Sequence, residues 1–224
     1  MHRGTASSPL AFACLIGLAA EAWAAGGHHA VDDAALLEPG RCQLEAWIDR
    51  AAGGRGTTLH AAPGCRAGAV ELSLNLDRFH AERAGTVTIV APQLKWAVEL
   101  VPTLSAGLVV SAALRDHAPN FLGGTIVVPL TWEAAADLRV HLNAGRDLVH
   151  SGPDSARNGV AIEWQAAPCC SLVAERFREV GLDFWRAGVR YAPRGDLVLD
   201  VSRAHGMAGA PDRWALGLTY AFGR

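Results

Sequence analysis

Trp214-Ala215-Leu216-Gly217-Leu218-Thr219-Tyr220-Ala221-Phe222 carries a large apolar or aromatic side chain at each even position and a small or hydroxylated residue at each odd one. Successive side chains of an extended strand point to opposite faces, so this period of two describes a strand with one apolar face. The same rhythm runs back through the chain. Leu197, Leu199 and Val201 alternate with Val198, Asp200 and Ser202, and Val160, Ile162 and Trp164 with Ala161, Glu163 and Gln165. Leu138, Val140 and Leu142 alternate with Arg139, His141 and Asn143, and Leu94, Trp96, Val98 and Leu100 with Gln93, Lys95, Ala97 and Glu99. Val70, Leu72, Leu74 and Leu76 alternate with Glu71, Ser73, Asn75 and Asp77. Less regular alternation covers 42–50, 57–65, 104–115, 126–132, 171–179 and 184–191. The sum is about twelve strands, ten at the least, most near the ~9–11 residues that a tilted membrane strand requires. Near Pro92 the phase slips, which predicts a β-bulge.

The connections alternate too. Short ones are expected at 65–66, 101–103, 133–136, 166–168 and 193–195, and mostly longer ones at 51–56, 78–85, 116–120, 145–159, 178–183 and 204–212. Short periplasmic turns and longer outer loops belong to outer-membrane barrels. A soluble β-sandwich would share the alternation. The charged polar face in mid-strand argues against one, as do Trp47, Trp132, Trp164 and Trp214 towards strand ends, where membrane-interface girdles lie. The predicted fold is all-β: a transmembrane antiparallel up-and-down β-barrel over 41–224, with both termini in the periplasm.

In hydrocarbon every backbone amide needs a partner, which leaves closed sheets and helices as spanning structures. No charge-free run reaches the ~18 residues of a membrane helix. A closed sheet turns alternate side chains to lipid and to lumen, and an Arg or Lys facing lipid at mid-depth costs about 2–4 kcal/mol. The predicted lumen lining, and with it the candidate solute contacts, is Glu45, Glu71, Asn75, Lys95, Glu99, Arg115, Arg139, His141, Glu163, Arg186, Arg190 and Asp200. Acids dominate the early strands and arginines the later ones, so pairing across the lumen is expected. Such a lining serves either a hydrated passage or a salt-bridged, filled interior, and the sequence leaves both open.

His2 and Arg3, the apolar run 10–20 and Ala22-Trp23-Ala24 form a secretory signal peptide, 1–24. Cys14 reads as a small apolar signal residue rather than a lipid attachment site. Residues 25–40, small and acidic, are expected to be a flexible periplasmic segment. A formal net charge of −2 gives no footprint for nucleic acid. Cys42 opens the first strand and Cys65 closes the second. A hairpin turning at Gly53-Gly54 sets them opposite one another at disulfide distance, in a compartment where disulfides persist. Cys169-Cys170 gives no comparable pairing. His28-His29 with Asp32-Asp33 has donor types for a metal but no scaffold, so no metal or cofactor is expected. His141 and Asn143 with Ser111 or Ser202 would serve an acyl hydrolase only within hydrogen-bond reach of one another. The spacing does not demand that, and the chain reads as a non-enzyme.

Three stretches carry a family resemblance: Glu38-Pro39-Gly40-Arg41-Cys42-Gln43-Leu44-Glu45-Ala46-Trp47, Ser171-Leu172-Val173-Ala174-Glu175-Arg176-Phe177-Arg178-Glu179, and the closing 214–222. Together they resemble the outer-membrane family labelled as meta-pathway phenol-degradation proteins, often called transporter-like, over nearly the whole mature chain. The resemblance implies an outer-membrane barrel and passage of small or aromatic compounds, with no catalytic residues to transfer. The implied partners are outer-membrane lipid, the barrel-insertion machinery and a small-molecule solute. Gly223 and Arg224 follow Phe222, so the terminal aromatic tag read by that machinery is weakened.

Overall fold

Each apolar–polar alternation becomes a strand, and each strand pairs antiparallel with the next until the last meets the first. The computed structural model describes residues 28–54, 56–81, 85–116 and 121–223. The predicted signal peptide, 1–24, lies outside the described residues. Among them are β1 (Arg41–Ala51), β2 (Thr57–Ala67), β3 (Val70–Ala81), β4 (Gly85–Val101), β5 (Leu104–Arg115), β6 (Phe121–Ala135), β7 (Leu138–Val149), β8 (Ser155–Ala167), β9 (Cys170–Glu179), β10 (Leu182–Arg194), β11 (Leu197–Gly206) and β12 (Arg213–Gly223). The seam between β1 and β12 runs in register from Arg41↔Gly223 to Ala51↔Arg213 and closes the barrel. Closure removes both sheet edges, whose unpaired amides could not survive in lipid.

At the rim where β1 begins, called here the lower rim, the turns 68–69, 102–103, 136–137, 168–169 and 195–196 are two residues long. The first falls at Gly68, with φ 62, and not at 65–66. The upper rim carries longer connections at 52–56, 116–120, 150–154 and 207–212, but the loop expected over 178–183 is a two-residue turn, Val180-Gly181, with φ 47 and 75, because β9 runs to Glu179 and β10 starts at Leu182. The loop expected over 145–159 is largely strand, because β7 continues to Val149 and β8 starts at Ser155. Its charges misled the sequence reading: Asp147 and Arg157 face inward and pair at 2.6 Å. The bulge expected near Pro92 is absent. The β3–β4 register is unbroken from Val70↔Trp96 through Leu74↔Pro92 to Ala81↔Gly85. The phase slips because Val87, Ile89 and Ala91 share the inward side with Gln93 and Lys95, so that face is apolar for part of its length.

The outer face is an apolar belt. Ile48, Leu72, Val128, Ile162, Val201 and Leu216 are between 38% and 59% exposed, whereas Glu71, His141, Glu163, Glu175, Arg190 and Asp200 are buried inside. This inverts the arrangement of a soluble protein, which rarely exposes a continuous apolar surface of that extent. Trp96, Trp132 and Trp164 stand outward towards the lower rim, and Trp185 and Trp214 at the upper one. Trp47 does not join the girdle. It shares the inward alternation of Gln43 and Glu45 and stacks on His60, ring centroids 3.4 Å apart. Cys42 lies opposite Cys65 in the β1–β2 ladder, and the two are joined as a disulfide.

Candidate functional site

The alternation directs polar side chains into the lumen. Of the predicted lining, Glu71, His141, Glu163, Arg186, Arg190 and Asp200 are buried there, and Glu45, Asn75, Lys95 and Arg139 are half-buried on the same inward face. Glu99 and Arg115 share the inward parity but stand exposed at the lower and upper rims. Most of the charges pair between adjacent or next-but-one strands, and the expected pairing across the lumen is limited, among the described residues, to Arg213 on β12, which reaches Glu179 on β9, three strands away, at 3.4 Å. Glu175 and Arg186 are register partners on β9 and β10, with Oε1 and Nη1 3.1 Å apart. Arg190 donates from Nε to Asp200 on β11 at 2.9 Å and reaches Glu163 on β8 at 3.4 Å. Ser171 Oγ donates to Glu163 at 2.9 Å. A ladder places register partners about 5 Å apart, so opposite charges meet there sooner than across a barrel. Nearer the upper rim, Asp147, Arg157, Glu179 and Arg213 form a second chain of ion pairs.

The space inside this wall is occupied by the chain's own N-terminal residues. The sequence predicts a flexible periplasmic segment over 25–40. Residues 28–37 instead lie within the barrel, and His28, Val31, Asp33, Ala34 and Leu37 are buried. The chain turns at Glu38–Arg41, where the Arg41 amide donates to the Glu38 carbonyl at 3.0 Å and Gly40 takes φ 78, and so re-enters the lumen from the lower rim. Its path can be followed by its partners. Leu37 donates from its amide to Glu71 on β3, and its carbonyl accepts from Arg66 on β2. Asp33 is salt-bridged to Lys95 on β4, and the Ala34 amide donates to Thr131 Oγ1 on β6 at 2.8 Å. With its amide oriented so that both ends are satisfied, Asn143 on β7 clasps the peptide of Asp32, donating to its carbonyl at 2.9 Å and accepting from its amide at 2.7 Å. The amides of Ala30 and Val31 converge on the Glu175 carboxylate at 3.1–3.2 Å. Arg186 donates to the His28 carbonyl. Val31 packs with Ala161, Phe177, Phe184 and Ala204 in a small apolar core.

The lining thus serves as a set of backbone receptors, because a segment without secondary structure must satisfy each buried amide with a side chain. Ala30, Ala34 and Ala35 add little bulk to it. The metal-type donors of 28–33 are dispersed: Asp33 is salt-bridged to Lys95, and the His29 ring lies 3.6 Å from Glu175 and 3.8 Å from Asp200. His141 contacts Thr131 at 2.9 Å and Glu163 at 3.7 Å. Its hydrogen-bond partner is the Thr131 hydroxyl, and the buried Ser202 hydroxyl has no hydrogen-bond partner among the described residues. The sequence reading missed the lumen roles of Thr131, His60, Asp147 and Arg157. For His60 the signal was its inward parity with Ala62 and Gly64.

The family model described as uncharacterised conserved protein UCP029691 matches residues 13–222. The chain belongs to this family. For this UCP029691 member, no curated protein matches. Among solved structures it is similar to a KdgM porin, with TM-score 0.64 and 11% identity over 80% of this chain and 99% of that one. It is similar also to a NanC porin, with TM-score 0.62 and 10% identity over 79% and 98%. A CymD monoaromatic hydrocarbon channel gives 0.53 at 10% identity over 83% and 88%. At such identities the likeness is one of fold. It agrees with the barrel implied by the resemblance to phenol-degradation proteins and carries no label beyond it.

Proposed function

We propose that the chain is an integral outer-membrane barrel that binds or passes small solutes, with residues 28–37 as the resident occupant of its lumen. The lower rim faces the periplasm and the upper rim the exterior. The observation that carries this reading is the grip of lumen side chains on the backbone of that segment. Such a grip reads no sequence, so a solute with its own donors and acceptors can compete for it. Aromatic solutes are the finer part of the proposal. Phe177 and Phe184 stack with centroids 5.2 Å apart, and the guanidinium groups of Arg186 and Arg213 lie 4.9 and 4.7 Å from one or other ring. Displacement of Val31 would leave a flat apolar slot edged by two guanidinium groups and their carboxylate partners, suited to a small aromatic solute with a polar substituent.

A second reading, a non-conducting structural barrel, draws on the same packing: Phe184 is 0% and Glu175 1% exposed. Conductance in planar bilayers separates the two. The mature chain is expected to conduct weakly, and a Lys95→Gln/Arg186→Gln variant, which loses two anchors of the segment, to conduct in larger and longer steps. Absence of current from both proteins at every salt concentration would remove the passage reading and leave the structural one.

A further inference from the structure

Not all the arginines face inward. Arg78, Arg146, Arg176 and Arg203 take the outward parity of β3, β7, β9 and β11, and each lies three residues short of its strand's upper end at Ala81, Val149, Glu179 and Gly206. Arg50 and Arg178 face outward one residue short of Ala51 and Glu179. At about 3.3 Å per residue and a tilt near 40°, three residues correspond to about 7–8 Å of depth. That is the level at which a lipid-facing arginine costs only about 0–1 kcal/mol, against about 2–4 at the midplane.

Tryptophans interleave with them. Trp185 is the register partner of both Arg176 and His205, and Trp214 of both Arg203 and Arg50. The Arg176 guanidinium lies 5.7 Å from the Trp185 ring, and that of Arg203 5.3 Å from Trp214. These side chains are not folded away: Trp185 and Trp214 are 52% and 54% exposed, and the Arg176 and Arg203 side chains 45% and 57%. Among the described residues, the acids paired with this set are Asp183, with Arg176 and Arg178, and Asp212, with Arg203. The six arginines thus outnumber the acids paired with them by four. The lower rim differs: Arg194 is neutralised by Asp196 at 3.2 Å, and Arg66 and Arg139 turn inward.

We infer that this upper belt docks phosphorylated glycolipid headgroups of the outer leaflet. A guanidinium fork matches a phosphate's oxygens in two hydrogen bonds, and tryptophan settles at the boundary between headgroup and acyl chain. The apolar belt directly beneath the arginines receives the acyl chains of the same lipid. One-sided placement selects the leaflet, because a matching row at the periplasmic rim is absent among the described residues. The inference rests on the outer-membrane reading proposed above.

The test uses the full mature chain in phosphatidylcholine nanodiscs containing a small fraction of either bisphosphorylated lipid A or its fully dephosphorylated form, with retained lipid counted by native mass spectrometry. The bisphosphorylated form is expected to be enriched about tenfold around the wild type. Arg50→Gln/Arg176→Gln/Arg203→Gln is expected to abolish the enrichment, and Arg194→Gln at the opposite rim to leave it unchanged. Heat-modifiable gel mobility checks that each variant is folded; exposed arginine-to-glutamine changes leave the barrel intact. Equal retention of the two lipids, or enrichment that survives the triple change, overturns the inference alone. A wild type that does not enter the bilayer at all overturns the outer-membrane reading beneath it.

Discussion

Replacing Glu175 by glutamine removes one negative charge from the wall and keeps the side chain's shape. The carboxylate accepts from the Ala30 and Val31 amides at 3.1–3.2 Å and from Arg186 at 3.1 Å, and it is 1% exposed. A hydrogen bond to a charged group contributes about 1.5–3 kcal/mol, against about 1 for a neutral pair. The two amides belong to the lumenal segment, so its docking should weaken by about 2 kcal/mol, a shift of roughly 30-fold between docked and released forms. Arg186 belongs to the wall, and a buried pair that loses one partner costs about 3–5 kcal/mol, here reduced because the His28 carbonyl still accepts from that guanidinium. Two measurements separate these effects. Amide hydrogen exchange over 29–37 should accelerate roughly 30-fold, while the urea midpoint of the barrel falls by less than loss of the whole pair would give. Unchanged exchange over 29–37 together with a lowered midpoint would show that the carboxylate holds the wall and not the segment, and would refute the reasoning.

Other outcomes follow from single features. Cys42 and Cys65 are 23 residues apart, so replacing both by serine should lower stability by about 3 kcal/mol on a loop-entropy basis; equal urea midpoints with and without reductant would contradict this. A Cβ added at Gly145 would lie 2.2 Å from the Ile126 carbonyl oxygen and 2.9 Å from Val127 Cα. Gly145→Ala is therefore expected to cost about 1–3 kcal/mol through backbone displacement, read as a lower yield of the heat-modifiable form. Asp212, in an upper loop, is held below its ordinary carboxylate value of 3.8 first by the Arg203 hydrogen bond and then by the Gly206 amide. A lowered value means its contribution is complete above 3.8 and is lost only as pH falls through the lower one. Loop 207–212 should accordingly keep its resistance to an acid-active protease at pH 4 and lose it only below; loosening above pH 4 would disprove the assignment.

Much of the barrel was legible because a period of two is a property of neighbours in sequence. The disulfide was legible for the same reason, since two strands of equal length on either side of Gly53-Gly54 bring Cys42 opposite Cys65. Errors arose where residue type was weighed above parity. By type Trp47 suggests an interface residue although it alternates in phase with Glu45 and Asp49, and the charges of 145–159 suggest a loop although Asp147 and Arg157 are in phase with their strands. The lumenal segment was illegible for a different reason. Its partners stand 97, 145 and 158 residues away, and most of them hold its backbone, which is the same for every sequence. Side-chain pattern carries no record of such contacts.

The sites that receive residues 28–37 are distributed over β2, β3, β4, β6, β7, β9 and β10. A stretch synthesised ahead of every strand thus acquires its last anchors only when hairpins made much later are in place. Its contacts with Glu175 and Arg186 therefore form only after β9 and β10 exist. Epitopes and reporters are therefore better carried on the upper loops, where an insertion leaves the anchors of residues 28–37 undisturbed.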